Sequence, residues 1–262
     1  MFSRSPFDLE GMTEPGRRPR SLTSAVLDQL RDDILRCRLA PGMKLSTAAI
    51  AKRFDVSLAA VREALSRLVA DGMVTAEDQR GFRVSQVSEN DLNDIVETRI
   101  ELESLALRRA IANGDESWRA ELDSVWKALC AIPYMNPRDP TEHNEAWNPL
   151  HDRFHRTLIK GCDLAWVLRF SEILREQSER YRRLARPLGL STRDPFNEHC
   201  RLVRSALRGD ADKACSILRE HYSLTKVLVQ EAIRRSDLWR APERAEGGRS
   251  TIAGNSSPKA LR

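Results

Sequence analysis

Nowhere does an apolar run in the 262-residue sequence approach the ~18 residues that span a bilayer, so no membrane-crossing helix is expected. The first twenty residues, MFSRSPFDLEGMTEPGRRPR, contain no apolar core followed by a small-residue cleavage site. A secretion leader is therefore not expected. Five cysteines, Cys37, Cys130, Cys162, Cys200 and Cys215, are odd in number, scattered, and form no CxxC pair. Reduced thiols of a cytoplasmic protein, mostly small core residues, are the natural reading. There is no internal repeat, and no strand pattern between about residue 89 and residue 235. What remains is a mildly basic chain, with net charge +5 and a pI near 9.1. That suits a nucleic-acid partner without requiring one.

The pattern divides the chain into a polar arm over 1–20, expected to be disordered, a small mixed domain over 21–87, and an all-helical domain over 88–236. A Gly-, Ser-, Ala- and Arg-rich tail over 237–262 is likewise expected to be disordered. Ala25 to Arg38 reads as an amphipathic helix. Residues 45–84 read as short helix, tight turn, second helix and hairpin. In the second helix Val61, Ala64, Leu65 and Leu68 recur at i, i+3, i+4 and i+7, one helical face, while Arg62, Ser66 and Arg67 face away. Ser57 can cap its first amides, Asp71-Gly72 stops it, and Met73–Glu77 pairs with Phe82–Gln86 across Asp78-Gln79-Arg80-Gly81. Such a unit places a helix in the major groove of duplex DNA and a basic hairpin beside it. Beyond Ser88, helices are expected over 89–113, 116–131, 142–161, 164–186, 194–208 and 210–236, with a break at Pro187 to Thr192. The fold class is mainly α: a winged helix-turn-helix followed by a helical bundle.

Pro41-Gly42, Leu45, Val56-Ser57, Val61-Arg62-Glu63-Ala64-Leu65, Leu68, Gly72, Val74 and Arg80-Gly81-Phe82 resemble the winged helix-turn-helix of the GntR transcriptional regulators. The following helices resemble the FCD effector domain of its FadR-type subgroup. In that family an arginine at the place of Arg62 and the wing glycine at the place of Gly81 contact operator DNA. The candidate DNA-contacting set is Thr47, Ser57, Leu58, Arg62, Arg67, Arg80 and Gly81. Two family contacts are absent: Ser57-Leu58-Ala59-Ala60 replaces the usual Ser-Arg-Thr-Pro, and Ala48 replaces an arginine. The family's base contacts, and its usual operator, are not carried over.

Four of the five histidines lie on apolar stripes of the expected bundle helices. His151 and His155 share a face with Trp147, Phe154 and Leu158; His199 goes with Leu202, Val203 and Ala206; His221 sits between Ile217, Leu218 and Thr225. Each alone is an ordinary hydrogen-bonded core histidine. Four converging on one interior point to a divalent transition metal, which satisfies all four imidazoles together. Zinc is the first expectation, with nickel or another metal as alternatives. The resemblance implies an aspartate and three histidines: His155 after Phe154, His199 after Glu198, His221 in the last long helix, and an aspartate where His151 stands. Asp152 lies about 100° further round the helix, so the set becomes four histidines, or Asp152 serves as acceptor for a histidine ring. A glutarate-responsive repressor of carbon-starvation genes in this family is similar here and also places histidine at that point. His151-Asp152-Arg153-Phe154-His155 resembles HExxH as well, but a zinc hydrolase wants glutamate as the base, and four histidines close much of the coordination sphere.

Arg99 falls on the apolar stripe of Leu92, Ile95, Leu102 and Ala106, where a charge needs a partner. Glu103 at i+4 can supply it; alternatively the guanidinium binds a carboxylate bidentately. The family's Arg-x-x-Leu-Glu pattern implies a pocket role, with Tyr181 and Arg182 as further candidates. The expectation is a homodimeric, non-enzymatic, DNA-binding repressor released by a small carboxylate bound near a metal. The rivals are an activator and a metal-responsive regulator.

Overall fold

The computed structural model describes residues 22–186 and 195–235. The expected arm over 1–20, tail over 237–262 and break at Pro187 to Thr192, like positions 21 and 236, lie outside them.

Helix α1 (Leu22–Leu35) begins three residues before its expected start. It buries Val26, Leu30 and Ile34 against α3 (Leu58–Ala70), and α2 (Thr47–Phe54) adds Ile50. Ser46 and Ser57 cap α2 and α3, each accepting a backbone N–H three residues on, at 3.2 Å. Gly72, with φ +70°, ends α3 in a conformation that side chains avoid. The hairpin is β2 (Val74–Glu77) with β3 (Gly81–Val84), in the expected place and slightly shorter. Sequence reading passed over β1 (Lys44–Leu45), which pairs antiparallel with β3 through Leu45 opposite Phe82. Two residues are too short to show alternation.

The second domain is α4 (Glu89–Asn113), α5 (Glu116–Cys130), α6 (Trp147–Lys160), α7 (Ala165–Ala185), α8 (Phe196–Leu207) and α9 (Ala211–Arg234). Ser88, Asp115 and Asp210 cap α4, α5 and α9. One correction concerns residues 135–143, where no strand was expected and where α6 was expected to begin at 142. A small antiparallel pair, β4 (Met135–Asn136) and β5 (Asp139–His143), stands there instead. A helix begun at 142 would hold Pro149 in its interior, without an amide donor and against the Glu145 carbonyl; starting at Trp147 puts Pro149 in the first turn, where it is tolerated. Its core, including Leu92, Leu107, Leu122, Phe154, Leu158, Leu202 and Leu218, is continuous and separate from that of the first domain. Truncating one such leucine to alanine costs about 2–5 kcal/mol.

The two domains meet along α7. Glu176 accepts from Arg31 (2.8 Å), and Gln177 donates to the Asp71 carbonyl (2.8 Å). Arg180 donates to the Ser85 carbonyl (2.7 Å). The Tyr181 hydroxyl receives the Ser88 N–H (3.0 Å) and donates to Asp91 (2.6 Å) at the start of α4.

Candidate metal centre

Helix α6 brings His151 and His155 one turn apart onto its inner face, α8 brings His199, and α9 brings His221; all four are buried. One ring nitrogen from each lies within 4.8 Å of the others. With bonds of about 2.0–2.1 Å, tetrahedral zinc would hold its ligand nitrogens about 3.4 Å apart. Small side-chain adjustments therefore bring the four rings onto one ion. The Nε2 atoms of His151 and His155 are 3.0 Å apart, a separation at which two neutral imidazoles need a proton or a cation between them. Trp147 stacks on His151 with centroids 4.1 Å apart, holding that ring in place.

Partners on the outer nitrogens orient the set. His221 Nδ1 is 2.9 Å from Glu198 Oε2. His155 Nδ1 is 3.3 Å from the Tyr222 hydroxyl, which donates to Glu103 (2.5 Å), and Glu103 in turn accepts from Arg99 (2.8 Å). Both arrangements leave Nε2 facing the cluster, as metal-binding histidines require. Asp152 does not serve a histidine ring: its carboxylate is engaged by Arg175 and by Arg156 (3.2 Å). One step round the helix from His151 turns it toward α7 instead. Glu198 holds the acceptor role that was considered for Asp152.

Burial, reinforced by the neighbouring imidazoles and by Arg182 and Arg99, pushes the His151 and His155 rings well below the usual histidine range. Their unfolded pKa is about 6.5, so in metal-free protein the unfolded state takes up protons first as pH falls through that value. Stability is then full above pH 6.5 and declines below it. Glu179, held at about 2 chiefly by Arg182, Arg186 and Arg183 against its own desolvation, keeps its charge in this window. A chelator-treated sample is expected to melt at lower temperature at pH 5 than at pH 7. A flat midpoint over that range would contradict buried neutral histidines.

His151, His155 and His221 line a narrow cleft together with Arg99, Arg175 and Arg182. The Arg99–Glu103 pair forms as the local spacing allowed, and the guanidinium also lies 4.2 Å over the Tyr222 ring. Tyr181 is not at the cleft; it ties α7 to the start of α4 through Ser88 and Asp91. At i−1 from Arg182 it is turned about 100° away. Sequence reading passed over Arg175 and Ser178, which do line the cleft. The signal was present: Ser171, Arg175, Ser178 and Arg182 recur at i, i+4, i+7 and i+11, a polar stripe where a bundle helix is normally apolar. The Nε atoms of Arg175 and Arg182 are buried with no hydrogen-bond partner among the described residues. Burial and the nearby Arg99 charge bring the Arg175 guanidinium down to about 10. Unsatisfied cationic donors beside a metal-shaped cluster suit an anion.

In the first domain, Ser57, Leu58, Arg62, Arg67, Arg80 and Gly81 are exposed and Thr47, the first residue of α2, is half-buried. Arg67 pairs with Glu63 (2.5 Å); exposed pairs of this kind are weak and exchangeable. Gly81 has φ +92° at the tip of the hairpin.

The Bacterial regulatory proteins, gntR family model matches residues 22–84, and the FCD domain model matches residues 94–224. Over 212 residues the chain is 40% identical to the HTH-type transcriptional regulator BphR of Paraburkholderia xenovorans (strain LB400), covering 81% of this chain and 86% of that one. It is 29% identical over 208 residues to the HTH-type transcriptional repressor GlaR of Escherichia coli (strain K12), covering 78% and 94%. Among solved structures, E. coli McbR/YncC shares the fold with a TM-score of 0.66 at 21% identity, covering 81% of this chain and 98% of that one. The relatives are named as transcriptional regulators. The chain is a DNA-binding transcriptional regulator of the GntR family, with an FCD domain as its helical half.

Proposed function

We propose that the protein is a homodimeric repressor whose helical domain holds one divalent transition metal, zinc foremost, on His151, His155, His199 and His221. A small dicarboxylate entering the cleft releases it from its operator. The observation that carries this reading is the convergence of four buried imidazoles beside a cleft where Arg175 and Arg182 each keep a buried Nε–H without a hydrogen-bond partner among the described residues. The metal would supply a Lewis-acidic seat for one carboxylate; Arg99, Arg175 and Arg182 would hold the other and exclude alternatives by charge. The relative named a repressor favours repression over activation. Pairing of two copies follows from the short sequence that one recognition helix reads.

Release requires that the effector favour a geometry in which the recognition helices are misplaced. Helix α7 carries both Arg175 and Arg182 on the cleft and Glu176, Gln177 and Arg180 on the DNA-binding domain. A small turn of α7 on ligand binding is the proposed link. The test is a gel shift on the promoter beside the gene, with short dicarboxylates added; a complex indifferent to the whole panel would remove effector release.

On the DNA side, Arg62→Ala should weaken operator binding by about 1–3 kcal/mol through loss of one charged contact. Gly81→Asp should weaken it further by placing a carboxylate against phosphate. A Cβ at Gly81 meets nothing within 4 Å, but the positive φ strains any side chain. Gly81→Ala therefore separates backbone strain from charge. If Arg62→Ala and Gly81→Asp bind the operator as wild type does, these contacts are misassigned.

A further inference from the structure

We propose that the cavity between α6 and α7, on the far side of His155 from the histidine-lined cleft, is a second ligand site for a small apolar monocarboxylate. The helices leave their connecting turn at Gly161 to Leu164 and are bridged by long ion pairs: Arg156 to Glu172 (3.0 and 2.6 Å) and Asp152 to Arg175. Charged bridges in place of apolar packing hold them apart, and the space between measures about 340 Å³. That is the size of a small-molecule site, and such sites combine apolar walls with a few placed polar groups.

The lining has this character. Ile159 and Leu168 supply apolar wall, and Arg153, Arg156 and Lys160 add their aliphatic stems. At the floor lie Ser171 Oγ and Arg175 Nε, both buried and without a hydrogen-bond partner among the described residues. The charges leave room for one anion. Glu172 answers Arg156 and Arg175, Glu121 answers Lys160 (2.7 Å) and Glu103 is answered by Arg99 (2.8 Å), while the exposed guanidinium of Arg153 has no carboxylate partner among the described residues. A dicarboxylate suits the cleft, where several cations and the histidines converge; an apolar body with a single carboxylate suits this cavity. His155 and Arg175 line both spaces, so a ligand here would touch the back of a residue whose front faces the histidine cluster. The site stands independently of whether the cleft binds a dicarboxylate.

The test is calorimetric titration of the full-length, metal-loaded protein with octanoate, using 1-octanol as the neutral counterpart. Octanoate is expected to bind saturably, at one per chain, and 1-octanol far more weakly. Leu168→Trp, which fills the cavity, should weaken octanoate at least about tenfold. Arg153→Ala should weaken it about fivefold; being exposed, it leaves the core intact and keeps the test valid if the tryptophan variant misfolds by circular dichroism. Arg182→Ala, in the cleft, should leave octanoate affinity unchanged. Absence of saturable binding at millimolar octanoate overturns the proposal. So does binding lost in Arg182→Ala but kept in the other two variants, which would place the probe in the cleft. A shift of oligomeric state in Leu168→Trp without weaker octanoate binding assigns the surface to a second copy instead, and also overturns it.

Discussion

The His199→Ala/His221→Ala variant is expected to be isolated without metal, where the wild type carries about one divalent transition metal per chain. The two residues come from different helices, α8 and α9, so removing both unties the cluster from half its supports. A metal held at about a thousand times its dissociation constant adds roughly 4 kcal/mol to stability. For a chain of this size the thermal midpoint should fall by roughly 10 °C. Alanine in place of a buried ring also leaves a cavity, so the comparison needs wild type in chelator, which isolates the metal's share. The double variant should be insensitive to chelator. Elemental analysis and calorimetry read both quantities. Wild-type protein that is metal-free and melts unchanged in chelator would reduce the cluster to four ordinary core histidines.

The effector response should be blunted in Arg99→Ala while repression persists, because Arg99 lies in the cleft and far along the chain from the recognition helix. Loss of a charged contact in a partly dry pocket costs about 1.5–3 kcal/mol, so the half-effective dicarboxylate concentration should rise about tenfold or more. Glu103 complicates the experiment: it pairs with Arg99 and accepts from Tyr222, so Arg99→Ala leaves a buried carboxylate short of its cation. Pairing Arg99→Ala with Glu103→Gln controls for this, with circular dichroism to confirm the helices. Arg182→Ala is a cleaner second probe, since Arg182 is half-buried at the same cleft. A folded Arg99→Ala/Glu103→Gln protein released from DNA at wild-type concentrations would take Arg99 out of the sensing site.

Much of this arrangement was legible in the residues because strong periodicity and capping leave little choice. Val61, Ala64, Leu65 and Leu68 define α3 unambiguously, and Ser57 and Gly72 mark its ends. The histidines were legible because an imidazole on an apolar stripe is a local contradiction that burial must resolve. The short strands β1, β4 and β5 were not, since two to five residues carry too little pattern. Residues whose role depends on the angle between helices were also hidden. Tyr181 and Arg182 are neighbours in sequence and face different places, the start of α4 and the cleft, while Asp152 sits beside a candidate ligand and turns to Arg175. Glu198 and Tyr222, which orient the histidines, could be assigned only once α4, α8 and α9 were packed together.

From Arg175 to Arg182, every side chain of α7 already has a place. Arg175, Ser178 and Arg182 are on the cleft; Glu176, Gln177 and Arg180 hold the neighbouring domain; Tyr181 holds the start of α4; and Glu179 anchors Arg183 at 2.7 Å. Adding or deleting one residue in this stretch would rotate all that follows by about 100° and exchange the two sets of neighbours. This stretch should therefore accept new ligand preferences by substitution alone, whereas a change in its length should cost recognition and response together.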